Sequence, residues 1–169
     1  MTGRTFSADF PTTPGAFDRT ANGGVDAFVT KLNDSGSALV YSTFLGRRRV
    51  DIGSDIAVDG MGNAYVTGDT SSPHYPTTRG AFDRTFNGNF DAFVTKLNDS
   101  GSALIYSTLL GGTSFDFPSA QGGGSIAVRD RNAYVTGTTF STAFPTTPGA
   151  FDTTYNGGGD AFVTKLPTG

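Results

Sequence analysis

The chain has 169 residues, enough for one domain or a piece of one, with 36% hydrophobic residues, 24 Gly and a formal net charge of −3. The absence of cysteine excludes a disulfide framework, a thiol nucleophile and a thiolate metal site. The mild charge gives no general attraction to nucleic acid or anionic lipid. No apolar run approaches the ~20 residues that cross a bilayer, and residues 1–5 lack the basic-then-apolar pattern of a signal peptide.

Taken in chain order, the elements are short strands separated by turns. Thr2-Gly3-Arg4-Thr5 aligns with Thr67–Thr70 and Thr136–Thr139, so the chain opens inside a strand of a recurring kind, here B. A long connection leads to Asp26–Leu32, strand C, and a third strand, D, ends near Leu45. The next copy is the fullest. Asp55–Asp59 is strand A, Gly60-Met61-Gly62 a tight turn, and Asn63–Thr70 strand B. A long connection, Ser71–Phe90, precedes strand C at Asp91–Leu97, the turn Asn98–Gly101 and strand D at Ser102–Leu110. The final copy supplies A, B and C. The string DAFVTKL begins at Asp26, Asp91 and Asp160, and [FY]PTT[PR]GAFD begins at Phe10, Tyr75 and Phe144, so the period is 65 and then 69 residues. Residues 10–45 and 75–110 are identical at 29 of 36 positions, which establishes duplication. No segment holds a 3.6-residue period, and the strands are rich in Val, Thr, Tyr and Phe, so the expected class is all-β.

Both sides of these strands are apolar. Ala92 and Val94 point one way, Phe93 and Leu97 the other; Ala64 and Val66 oppose Tyr65. A sheet that is apolar on both sides must lie between neighbours, which radially stacked four-stranded blades achieve. The stretch Ile56–Gly112 resembles the SBBP ("beta-propeller repeat") family over essentially its whole length. That resemblance implies a bacterial, usually secreted or surface-attached, propeller-type protein, and brings no common activity or catalytic residue. The expectation is therefore one β-propeller-repeat region, 1–169, with a partial unit 1–46, a full unit 47–111 and a partial unit 112–169. Ten strands amount to about two and a half blades. Closed propellers need about four to eight, so self-association to complete a ring is expected.

Antiparallel strands put the long B–C and D–A connections at the same end of each blade. That end is the expected ligand surface, because loops on a rigid scaffold concentrate function. Differences between copies fall there: Phe86 and Tyr155 stand where the first copy has Ala21, and Phe90 where it has Val25. The D–A connection carries Arg47-Arg48-Arg49 in one copy and Phe115, Phe117 and Pro118 in the next. With His74 and Tyr75, these side chains are candidates to contact a glycan or protein partner: rings stack on sugars, and arginines grip carboxylate, sulfate or phosphate. Each has a plainer reading, as an anchor of its loop or as a solvated side chain. Asp83, Asn87 and Asp91 recur in every copy and offer oxygen ligands suited to Ca²⁺, although Asn-Gly and Asp before a strand are also ordinary turn chemistry. No other cofactor is indicated. The single His74 has no inferable Ser–Asp partners, so no catalytic residue is assigned. The first expectation is a non-catalytic extracellular or cell-surface scaffold or binding module. The alternative is a glycan-active enzyme, or part of one, using acidic loop residues.

Overall fold

The computed structural model describes residues 1–117 and 124–169; Pro118, one of the D–A loop residues noted above, lies outside the described residues. These residues form eleven strands: β1 Thr2–Thr5, β2 Asp26–Leu32, β3 Leu39–Leu45, β4 Asp51–Val58, β5 Ala64–Thr70, β6 Asp91–Leu97, β7 Leu104–Leu110, β8 Asp116–Phe117, β9 Ile126–Arg129, β10 Asn132–Thr139 and β11 Asp160–Pro167. They pair antiparallel in three sheets. The first has the order β1-β2-β3, the second β4-β5-β6-β7, and in the third β10 lies between β11 and the two short strands β8 and β9. The chain is all-β, and each sheet is a propeller-type blade.

The strands follow the repeats, with two differences. Strand A of the second blade begins at Asp51, four residues before the expected start. Asp51–Gly53 pair with Gly68–Thr70, and the pairing then shifts past Ser54 before Asp55 meets Thr67. This bulge hid the early part of the strand from a reading by alternation. The matching strand of the third blade is divided into β8 and β9, so eleven strands stand where ten were expected. Its hairpin to β10 is closed by Asp130 and Arg131, both at positive φ (50° and 60°), the geometry of a two-residue type I′ turn.

The stacking is that implied by the two-sided strands. One core joins the first and second blades: Ala27, Val29, Tyr41 and Leu45 pack on Ala64, Val66, Phe93 and Leu97. A second joins the second and third: Tyr65, Ala92, Val94 and Leu110 pack on Ala133, Val135, Phe162 and Leu166. The middle blade is therefore apolar on both sides and covered on both. A recurring ring pair supports each blade. Phe10 packs on Phe28, Tyr75 on Phe93 and Phe144 on Phe162, each with centroids 4.6 Å apart.

The long B–C connections do not lie wholly at the loop end of the blades, as expected from topology. In the first blade this connection runs along the outer edge of β3. Thr13 N–H donates to the Ser42 carbonyl (3.1 Å), and Phe44 N–H donates to the Asp18 carbonyl (2.9 Å). Phe17 N–H then reaches Gly101 of the next blade (2.9 Å). The second blade repeats the pattern through Thr78 with Ser107 and Asp83 with Leu109. The physical reason is that the fourth strand is a sheet edge whose backbone groups need partners, and the connection supplies them.

Candidate functional site

What remains at the loop end is two similar junctions, where the end of a B–C connection meets a D–A connection. At the first, Asp51 N–H donates to the Val25 carbonyl (3.0 Å) and Ser71 N–H to the Val50 carbonyl (2.9 Å). At the second, Asp116 N–H donates to the Phe90 carbonyl (3.0 Å) and Phe140 N–H to the Phe115 carbonyl (2.8 Å). The backbones approach so closely that a Cβ on Gly88 would run into the Ser114 carbonyl, which explains glycine there.

Below each junction lie buried carboxylates. Asp51 is fully supplied: Thr70 Oγ1 donates to Oδ1 (2.5 Å), while Arg47 N–H (2.8 Å) and Ser72 Oγ (2.9 Å) donate to Oδ2. Burial nevertheless pushes its pKa up to about 6, against these hydrogen bonds. At the second junction Asp116 accepts from Gly112 N–H (2.7 Å) and from the Thr139 hydroxyl. Its neighbour Asp91 accepts the Asn87 N–H on Oδ2 (2.8 Å), whereas Oδ1 is buried without a hydrogen-bond partner. A Cβ on Gly111 would lie within 3.0 Å of both carboxylates, so the two converge beneath that glycine. Burial is the main cause that lifts Asp91 to about 7, and the charges of Asp116 and Asp83 add to it.

The structure distributes the candidate residues unevenly. Phe90, Phe115 and Phe117 come together: Phe90–Phe115, Phe90–Phe117 and Phe115–Phe117 centroids are 6.2, 5.7 and 5.6 Å apart. Phe140 completes the patch edge-on to Phe117 at 6.5 Å. Phe115 and Phe140 keep 39% and 38% of their surface in solvent, so this is not a closed core. Asp83 and Asn87 line an open cleft of about 340 Å³ between the second and third blades, with Phe82, Gly111, Gly112, Thr113, Ala143 and Pro145. The Phe82 ring is 56% exposed at its wall. Asp83 Oδ2 accepts from Asn87 Nδ2 (2.7 Å), so Asp83, Asn87 and Asp91 stand in file, tied by hydrogen bonds. Among the described residues no group of three or more His, Cys, Asp or Glu side chains could together hold a metal ion.

Tyr75 is corrected. It is 4% exposed and belongs to the core, with its hydroxyl 3.0 Å from that of Thr95, because the aromatic of the PTT motif is needed against strand C. Phe86 is half-buried against the same core. His74 is exposed and Tyr155 partly so, each apart from the aromatic patch. Arg47, Arg48 and Arg49 are exposed; the Arg47 guanidinium is engaged by Asp18 at 3.1 Å, and Arg49 sits at φ 108°. Two residues of this region escaped the sequence reading. Phe140 replaces Ser71 of the preceding copy, the same kind of difference that singled out Phe90. Phe82 recurs in every copy as part of GAFD, and recurrence conceals exposure.

Among the described residues no helix is long and apolar enough to cross a membrane. No curated protein matches the chain. Residues 40–76, which run from β3 through β4 and β5, match the family model SBBP, described as "Beta-propeller repeat". The likeness first seen in the repeated strings thus agrees with the blades they form, and the chain carries the SBBP beta-propeller repeat.

Proposed function

We propose that this propeller-type module is a non-catalytic carbohydrate-binding surface on a rigid scaffold, with its contact region at the junction of the second and third blades. The observation that carries the reading is the open cleft walled by the exposed Phe82 ring beside Asp83 and Asn87. An apolar ring offers a face to a sugar's C–H groups, and a carboxylate and an amide accept and donate to its hydroxyls. The segments 87–90 and 112–115 lead from this cleft to the Phe90–Phe115–Phe117–Phe140 patch, so an extended glycan has a second aromatic station within reach. A hydrolytic reading needs a pair of carboxyls about the substrate, and among the residues that line the cleft Asp83 is the single carboxylate. The proposed setting is the outside or surface of a bacterial cell, supported by the resemblance of the repeat.

A glycan array, read with and without Ca²⁺ and followed by titration of any ligand found, tests the proposal. Phe82→Ala is expected to weaken binding at least tenfold, and Phe115→Ala to weaken longer ligands more than short ones. Absence of any glycan ligand, or binding that survives both substitutions, overturns it.

A further inference from the structure

Each blade has two unlike sides, and the two internal cores always join them in the same sense. The Ala–Val side of one blade, carrying Ala27 and Val29 or Ala92 and Val94, receives the Phe–Leu side of the next, carrying Phe93 and Leu97 or Phe162 and Leu166. One side of each kind is left over. On the first blade it is the Phe–Leu side, where Leu32 is 39% exposed although its counterparts Leu97 and Leu166 are 0% and 4% exposed. On the third blade it is the Ala–Val side, where Val163 is 79% exposed although Val29 and Val94 are 0%. Apolar sides of this kind are stable only when covered.

We propose that these two sides bind each other between two copies of this chain, head to tail, repeating the internal blade junction. The internal junctions specify the partner: what covers Val94 is the Phe162–Leu166 side of a blade, and the Phe28–Leu32 side is its counterpart. A polar contact agrees with this. At the internal junction Lys96 lies over the Tyr65 ring (4.9 Å) and its Nζ reaches the Thr168 carbonyl (3.4 Å). Lys165 is poised in the same way over Tyr134 (5.7 Å), and the residue that corresponds to Thr168 on the first blade is Asp34. The docked pair therefore offers Lys165 Nζ the backbone carbonyl of Asp34, as Thr168 offers its own to Lys96. Because the two surfaces differ, the contact is heterologous, so copies add in one direction until a ring closes.

Light scattering coupled to size-exclusion chromatography over a concentration series tests the inference. The wild-type mass is expected to rise with concentration to at least twice that of one chain. Val163→Asp and Leu32→Asp each spoil one side and are expected to give monomers. Mixed in equal amounts they should form a pair that grows no further, because each retains the side the other has lost. Both positions are exposed, so circular dichroism should match the wild type; Ala161→Glu repeats the test from a neighbouring position on the same side. A wild-type chain that stays monomeric at its highest soluble concentration overturns the inference. So does a Val163→Asp chain that still pairs with itself, or a mixture that stays monomeric.

Discussion

The two blade junctions share a backbone and differ in what they display. At the first, the positions laced together at the loop end are Val25, Val50 and Ser71, with Ile52 below; at the second they are Phe90, Phe115 and Phe140, with Phe117. The carbonyls and N–H groups that hold them are the same. A junction fixed by backbone hydrogen bonds and buried carboxylates leaves its outer side chains free to change, so one copy can become aromatic without altering the fold. The buried layer is alike at both: Asp26 and Asp91, at the start of strand C, each keep Oδ1 unpartnered, while Asp51 and Asp116 beside them are supplied by backbone and hydroxyl donors.

The largest test of this contrast is in the cores. Phe93, fully buried at the first junction, should cost about 3–5 kcal/mol when changed to Ala, and Phe162, 7% exposed at the second, should cost less; chemical denaturation of both variants measures the gap. Next come the carboxylates. The folded pKa of Asp91, about 7, lies above its ordinary value. Its protonated form is favoured in the folded state, so its contribution is fully present below about pH 4 and is lost as pH rises through about 7. Asp91→Asn should therefore raise stability at pH 8 by about 1–3 kcal/mol and leave it little changed at pH 4. Asp51→Asn should not gain as much, because it disturbs donors already satisfied. Thermal melts across this range decide, and an Asp91→Asn chain weaker than wild type at pH 8 would refute the account. Phe115→Ala should lower stability by only about 1 kcal/mol, in keeping with its exposure, so that any loss of ligand binding reports on contact. Smallest is Arg47→Ala at the first junction, where an exposed ion pair to Asp18 contributes about 0–1 kcal/mol; raising the salt concentration should erase even that.

Alternation carried most of the fold. Ala92 and Val94 against Phe93 and Leu97, read from a seven-residue string, assign the two sides that the cores occupy. Repetition supplied the strand order. The bulge at Ser54 was invisible because an extra residue breaks the period it would be detected by. The path of the B–C connection along β3 and β7 was equally hidden: Thr13, Asp18, Thr78 and Asp83 make long-range bonds from irregular chain, which leaves no periodic trace. At the site, substitution between copies pointed to Phe90, Phe115 and Phe117, and the same comparison could have found Phe140. It could not separate Tyr75 from these, since Tyr in place of Phe at a core position looks like variation at a surface.

The connection that runs down the outer strand has a further consequence. Each duplicated segment arrives with its own selvage: the strip that finishes the cloth is woven from the same thread. In the first two blades the outermost strand is already bonded, so a stray extended peptide finds few free groups to zip onto there. Growth of such a protein by gene duplication can then proceed by stacking tile on tile, with little risk that the tiles will fuse at their rims.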